Sequence, residues 1–301
     1  MKNTTSETKR IDWMITLVPL LLIVGLCVIF MILPEQAGAV LSQIRFFFGD
    51  TFGVYYLIIG LGMLIVSIYI AASKYGNIVL GKPDEKPKYS FFVWGSMMFT
   101  AGLAADILFY SFSEWVMYAA DPHLAEMGSI QDWAGVFPIF HWSLVPWAFY
   151  LVLAAAFGYM LHVRGINRQK YSEACRPVLG KHTDGLAGRL IDLLAVFALL
   201  AGTATTFSVA TPLMASVINA LFGVQLNDNG ETLVILVITC VIYTTFLLRG
   251  FSGISLLAKA CIYLFFGILA YVLLFTGSAK YIVETGLTSL GTMIGNFIPL
   301  A

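Results

Sequence analysis

The first residues here whose types and spacing suggest chemistry are Trp142, Trp147 and Tyr150. They lie in the stretch FHWSLVPWAFY, residues 140–150. On an unbroken helix turning about 100° per residue, Trp147 falls about 140° round from Trp142, and Tyr150 about 80°. All three would then share one side. Pro146 lies among them, removes a backbone donor and loosens the hydrogen-bond ladder near Trp142. Aromatic faces beside a disturbed helix suit a quaternary ammonium ion. Such a cation has no N–H to donate, so ring quadrupoles replace hydrogen bonds, at about 2 kcal/mol or more per desolvated contact. The same residue types also anchor helices at membrane interfaces or simply pack. On these residues alone both readings stand.

Asp106 is the second candidate, in FTAGLAADILFYSFSEW. A carboxylate in the middle of an apolar helix costs about 2.5–3.5 kcal/mol on insertion scales. It must face protein, water or a ligand, or take up a proton, which makes it a candidate to attract a cation or carry a coupling proton. The alternative is a structural Asp hydrogen-bonded to a neighbouring helix. Glu114, eight residues on, is expected to reach the interface as a structural residue. Ala101, Gly102, Ala104 and Ala105 allow close backbone approach by a ligand or another helix. Thr203, in the run GTATTFS, is a candidate ion ligand, although threonine hydroxyls in helices more often bond back to their own backbone. His141 reads as a packed, hydrogen-bonded residue.

These residues sit in a chain that cannot be mostly water-exposed. Hydrophobic residues make up 59% of it and charged residues 11%, less than half the usual charged share of a soluble domain. The formal net charge of zero argues against nucleic acid as a partner. The four cysteines are scattered without metal spacing and read as small hydrophobes. No phosphate-binding loop occurs, which argues against a primary pump. No nucleophile motif or metal-ligand cluster occurs, which argues against an enzyme, and neither a cofactor nor a metal is expected.

About 20 apolar residues cross a bilayer. Seven spans are predicted, roughly 13–33, 53–72, 91–117, 133–161, 191–218, 233–248 and 256–277. The sixth is short and its ends are poorly marked. Residues 1–12 form an N-terminal segment, and Lys9 and Arg10 precede an uncharged run that reads as a retained membrane helix, with no cleavable signal. Residues 278–301 are amphipathic and Gly-rich, expected to lie along the outer surface. On this map every Lys and Arg except Arg45 and Lys280 falls on one side of the bilayer. The positive-inside rule makes that side, with the N-terminus, cytoplasmic. The acidic stretch DPHLAEMGSIQDW is expected outside as a solvated loop. The basic loop 162–190 is expected inside, as a topological anchor touching anionic headgroups.

Four stretches carry a resemblance to a known family: YGNIVLGKPDEKPKYSFFVWGSMMF, FTAGLAADILFYSFSEW, FHWSLVPWAFYLVLAAAFGYM and GRLIDLLAVFALLAGTATTFSVATPL. Together they make the chain similar to the betaine/carnitine/choline transporter (BCCT) family. That resemblance implies an all-α fold in which residues 13–90 hold two N-terminal helices and residues 91–277 the first five-helix repeat of an inverted-repeat secondary transporter. It implies that Trp142, Trp147 and Tyr150 belong to an aromatic box for the substrate. The family's Gly-rich unwound segment corresponds to Ala101–Asp106, where only Gly102 is glycine. Sodium-coupled betaine members have glycine at the position of Asp106, whereas proton-coupled choline-type members have Asp there. Sodium members also carry a threonine one turn before the position of Thr203, where this chain has Leu199. Thr100 and Leu103 replace the usual Ala and Met of a second sodium site whose contacts are largely backbone.

The expectation is secondary transport of a choline-, betaine- or carnitine-class compound across the plasma membrane by alternating access. The proton is the expected coupling ion and sodium the alternative. An anionic Asp106 would favour a cation over a zwitterion. Relatives are often trimeric, so a homotrimer is expected. The second repeat has no counterpart in these 301 residues. The alternative expectation is therefore a half-transporter without transport activity, acting as a membrane interaction partner or arising as a decayed product.

Overall fold

The computed structural model describes residues 12–300 apart from 83 and 224–227, with the side chains at 101–105, 108, 228, 229 and 231 also outside the description. Among the described residues every regular element is helical. Five helical segments are long and apolar enough to cross a membrane: Trp13–Ile32, Gly53–Ala72, Ile130–Val163, Leu186–Phe222 and Phe251–Phe275. Phe91–Thr100 and Thr232–Leu248 are shorter apolar stretches.

The first helix, α1 (Trp13–Ile32), is capped by Asp12, whose carboxylate accepts from the Ile15 N–H at 3.4 Å. It stops at Leu33 because the residue before a proline is pushed out of helical geometry. Pro34 then opens α2 (Pro34–Phe46), its missing N–H harmless in a first turn. Glu35 near the start of α2 and Arg45 near its end complement the helix dipole. The span map treats this stretch as a plain connection. Helix α2 continues through a wide turn, Phe47–Thr51, into α3 (Gly53–Ala72). There Phe47 meets Phe48 and Phe52, each with ring centroids 5.3 Å apart.

Helix α4 (Phe91–Ala119) is capped by Ser90 and runs 29 residues without interruption. It remains helical through Ala101–Asp106, so the unwound segment implied by the family resemblance is not present here. The physical reason is composition: alanine, the strongest helix former, stands at 101, 104 and 105. The acidic stretch expected as a solvated loop instead forms α5 (Pro122–Met127). Asp121 caps it by accepting from the His123 N–H at 2.9 Å, and Leu124 is fully buried. Gly128, at φ 140°, turns the chain into α6 (Ile130–His141), and Trp133 Nε1 donates back to the Met127 carbonyl at 3.2 Å.

The fourth span is not one helix. After α6 the chain leaves helical hydrogen bonding at Trp142 and Ser143, then resumes as α7 (Leu144–Gly158), extended by a wide turn at Tyr159–Val163. Pro146 has no N–H to give the Trp142 carbonyl, and its ring crowds that carbonyl. The break falls there. Trp142 therefore does not share one continuous helix with Trp147 and Tyr150, and the common side expected for all three on an unbroken helix does not hold across this break.

The basic loop that follows is ordered, with short turns α8 (Tyr171–Ala174) and α9 (Arg176–Leu179). It folds onto the start of α10 (Leu186–Phe222), which is 37 residues long and overruns the predicted span at both ends. The chain continues through α11 (Asp228–Leu248), α12 (Phe251–Phe275), α13 (Ala279–Gly295) and α14 (Phe297–Leu300).

The chain divides into two compact units, residues 1–82 with 150–204, and residues 83–149 with 205–301. In the first unit the loop is held by polar contacts, some buried and some exposed. Ser172 donates to Asp192 from its backbone N–H (2.9 Å) and its hydroxyl (2.8 Å), and Lys170 Nζ lies 3.8 Å from the same carboxylate. Arg176 forks onto Asp184 (2.9 and 2.7 Å) and onto Glu173. These bonds from Arg176 hold both carboxyls below their ordinary range and push the guanidinium up. In the second unit α4 packs against α12 and α6, and α6 against α13. Rings cross the α4–α12 contact at Phe92–Tyr263 (5.5 Å) and Phe99–Phe265 (5.3 Å). The α6–α13 contact is built on small residues, Gly135 against Ser289, flanked by fully buried Ala134 and Val136.

Candidate functional site

Helix α4 supplies an acidic stripe. Asp106, Tyr110 and Glu114 are spaced four residues apart and so lie within about 80° of one another around the helix. Asp106 is half-buried and accepts a hydrogen bond from the Thr206 hydroxyl of α10 at 3.3 Å. An apolar span thus keeps a carboxylate by giving it a neutral donor on another helix. Eight residues on, about 12 Å along the axis, Glu114 is only 5% exposed.

Glu114 organises the end of α6. One carboxylate oxygen meets His141 Nδ1, and the other accepts from Trp142 Nε1 at 2.8 Å. The His141 ring stacks on the Trp142 indole, with centroids 5.1 Å apart and planes 26° apart. Tyr110 approaches both rings, at 6.4 Å from His141 and 6.3 Å from Trp142. Trp142 itself caps α6, with φ −94° and ψ 13°, and its N–H donates to the Pro138 carbonyl at 3.1 Å. This is an aromatic group built over an anion at a helix break.

The other predicted residues fall as follows. Trp147 lies in the first turn of α7 and Tyr150 three residues further along that helix, 56% exposed. Residues three apart on a helix share a face, so these two keep their common side after the break. Tyr150 belongs to the first compact unit, whereas Trp142 and Trp147 belong to the second. The Thr203 hydroxyl donates to the Leu199 carbonyl at 2.8 Å, the back-bonded state common for threonine in a helix. Ala101, Gly102 and Ala105 are on α4, but their side chains lie outside the described residues. Among the described residues no group of three or more His, Cys, Asp or Glu is arranged to hold a metal ion.

The sequence leads one to expect Glu114 at the interface and His141 packed and hydrogen-bonded, but it does not pair the two; the structure does. Two signals could have linked them. Glu114 stands on the same stripe as Asp106, and His141 adjoins a tryptophan whose N–H, once buried, needs an acceptor.

Comparison with known proteins places the sequence in a family. A family model described as a betaine/carnitine/choline family transporter matches residues 14–301. An osmo-dependent choline transporter of Acinetobacter baylyi is 27% identical over 300 residues, covering 99% of this chain and 43% of that protein. A probable glycine betaine transporter of Desulfitobacterium hafniense is 30% identical over 269 residues, covering 88% of this chain and 54% of the relative. A betaine/ectoine transporter of Corynebacterium glutamicum is 31% identical over 233 residues, covering 76% of this chain and 36% of that protein. The chain therefore spans about half the length of the curated relatives it matches. With a match running from residue 14 to residue 301, the chain belongs to the betaine/carnitine/choline family of transporters.

Proposed function

We propose that the chain is part of a secondary transporter for a quaternary-ammonium compound, which it moves across the plasma membrane by alternating access. The observation that carries this reading is Trp142. Its indole is fixed at a helix break in an apolar span and backed by a buried carboxylate. A trimethylammonium group needs such an aromatic surface because it offers no hydrogen-bond donor. Trp147 and Tyr150 supply further rings on the following helix. The relatives bear the names of choline and glycine betaine transporters, which supports the substrate class and does not favour the non-transporting alternative.

Asp106 is the proposed coupling group, and the proton the proposed coupling ion. Its hydrogen bond from Thr206 is one that the carboxylate and the carboxylic acid can both accept. Thr203 is the proposed ligand of the alternative ion, sodium: its hydroxyl proton goes to the Leu199 carbonyl, which leaves the oxygen lone pairs for a cation. An anionic Asp106 favours choline over zwitterionic betaine or carnitine. The remaining proposed features are seven spans, the first five-helix repeat over residues 91–277, an amphipathic external segment over 278–301, a cytoplasmic N-terminus and a homotrimer.

The test is uptake of labelled choline, betaine and carnitine into cells. Trp147→Ala should raise the KM for choline about tenfold or more, the loss of one desolvated cation contact. Unchanged uptake of all three compounds in that variant would sink the reading.

A further inference from the structure

We infer that Glu114 is a positioning residue for the substrate site: it holds the Trp142 indole in the orientation that receives the cation. This rests on the proposed role of Trp142. Three observations lead to it. First, both carboxylate oxygens of a nearly fully buried Glu114 are spent on the end of α6, one on His141 Nδ1 and one on Trp142 Nε1. A carboxylate taken out of water at such a depth is retained only when its lone pairs are used. Second, Trp142 is the C-terminal cap of α6 and its backbone, at φ −94° and ψ 13°, has left helical geometry, so a continuing helix does not set its indole direction. Its indole direction depends on the tether instead. Third, His141 stacks on one face of that indole, so a bound cation has only the opposite face. Rotation of the ring would offer the cation an edge, where the quadrupole is positive.

The tether also tunes the ring. An N–H donating to a carboxylate is polarised, and electron density rises in the indole. That strengthens attraction for a cation lying over its face. Glu114 therefore supports cation binding without touching the substrate.

The experiment measures labelled choline uptake by the full protein in its native membrane, with five single variants and one double variant. Glu114→Met has similar length and no acceptor, and it should raise KM about tenfold with little change in maximal rate. Glu114→Gln should recover most of that affinity, because an amide can accept from the indole and donate to the imidazole. Trp142→Phe removes the indole N–H, so adding Glu114→Met to it should change KM less than twofold. Glu114→Asp, too short to reach both rings, serves as a second probe should the methionine variant not reach the membrane, and it should also raise KM. A wild-type KM in either Glu114→Met or Glu114→Asp overturns the inference. So does a Glu114→Met effect that persists undiminished beside Trp142→Phe, since Glu114 would then act through something other than the indole. The underlying function has its own readout: if Trp142→Ala leaves uptake of every quaternary amine unchanged, the substrate site fails. If Trp142→Ala impairs uptake while the Glu114 variants do not, only the positioning role fails.

Discussion

Replacing Gly135 by alanine tests how α6, the helix that ends in Trp142, is seated on α13. A Cβ at residue 135 would lie 2.7 Å from Ser289 Oγ, 3.7 Å from Ser289 Cβ and 4.0 Å from Thr285 Cγ2. Ser289 is itself only 4% exposed, so its hydroxyl has little room to swing away. Two effects oppose each other. Alanine is better than glycine inside a helix by about 1 kcal/mol. Overpacking a close contact costs about 1–3 kcal/mol. With a middle value for the second, Gly135→Ala destabilises the protein by about 1 kcal/mol. In a Ser289→Ala background the obstructing oxygen is gone, and the nearest remaining atom of residue 289 is at an ordinary contact distance. Only the propensity gain then remains, so the same substitution stabilises by about 1 kcal/mol. The two sites should couple by about 2 kcal/mol, well beyond the additivity expected of independent positions. Thermal unfolding of detergent-solubilised protein reads this directly, at about 2–4 °C per kcal/mol for chains of comparable size. Gly135→Ala should lower Tm by a few degrees alone and raise it by a few degrees beside Ser289→Ala. A shift of the same sign in both backgrounds would refute the Gly135–Ser289 contact as the seat of α6.

Three further outcomes are expected. Pro146→Ala gives the Trp142 carbonyl a helical donor and lets α6 run into α7, so Tm should hold or rise while choline KM increases; an unchanged KM would mean the break does not shape the site. Asp106→Asn keeps an acceptor for Thr206 but removes the charge, so the protein should keep its stability to within about 1 kcal/mol while choline uptake loses its dependence on an imposed proton gradient. In the basic loop, Arg176 lowers the Glu173 and Asp184 carboxyls in the folded state. The stabilisation is therefore complete above the ordinary carboxylate range, at about pH 4–5, and is lost as pH falls through the lowered values. Protease protection of residues 162–190 should hold at pH 6 and fail only below about pH 4, and Arg176→Ala should expose the loop already at pH 6.

Much of the architecture was legible along the chain. Hydropathy over about 20 residues marked the apolar helices, because a bilayer-length segment must satisfy its backbone internally wherever it packs. The caps at Asp12 and Ser90, and the stop at Leu33 before Pro34, are local chemistry and could be read from neighbouring residues. The back-bonded Thr203 followed from the ordinary behaviour of threonine in a helix. The helix over Pro34–Phe46 was overlooked because its low hydrophobicity hides it from a search for spans, although Pro34, Glu35 and Arg45 are the expected end residues of a helix. The Pro146 break was anticipated as a disturbance. Its consequence for the aromatic geometry was not, because one dihedral change at Trp142 resets the direction of everything after it.

The sequence alone determined that this is an all-helical membrane chain, that aromatic residues gather near residue 142, and that Asp106 sits in an apolar helix. These follow from composition and spacing, which need no partner element. Only the tertiary structure decided what Glu114 does. An acid near the end of a helix can be solvated, paired or buried, and its neighbours along the chain do not distinguish these states. The crossing of α4 over α6 brings its two oxygens to His141 and Trp142, residues 27 and 28 positions away. Burial and hydrogen-bond partners belong to pairs of elements, and so they arise only when the helices meet.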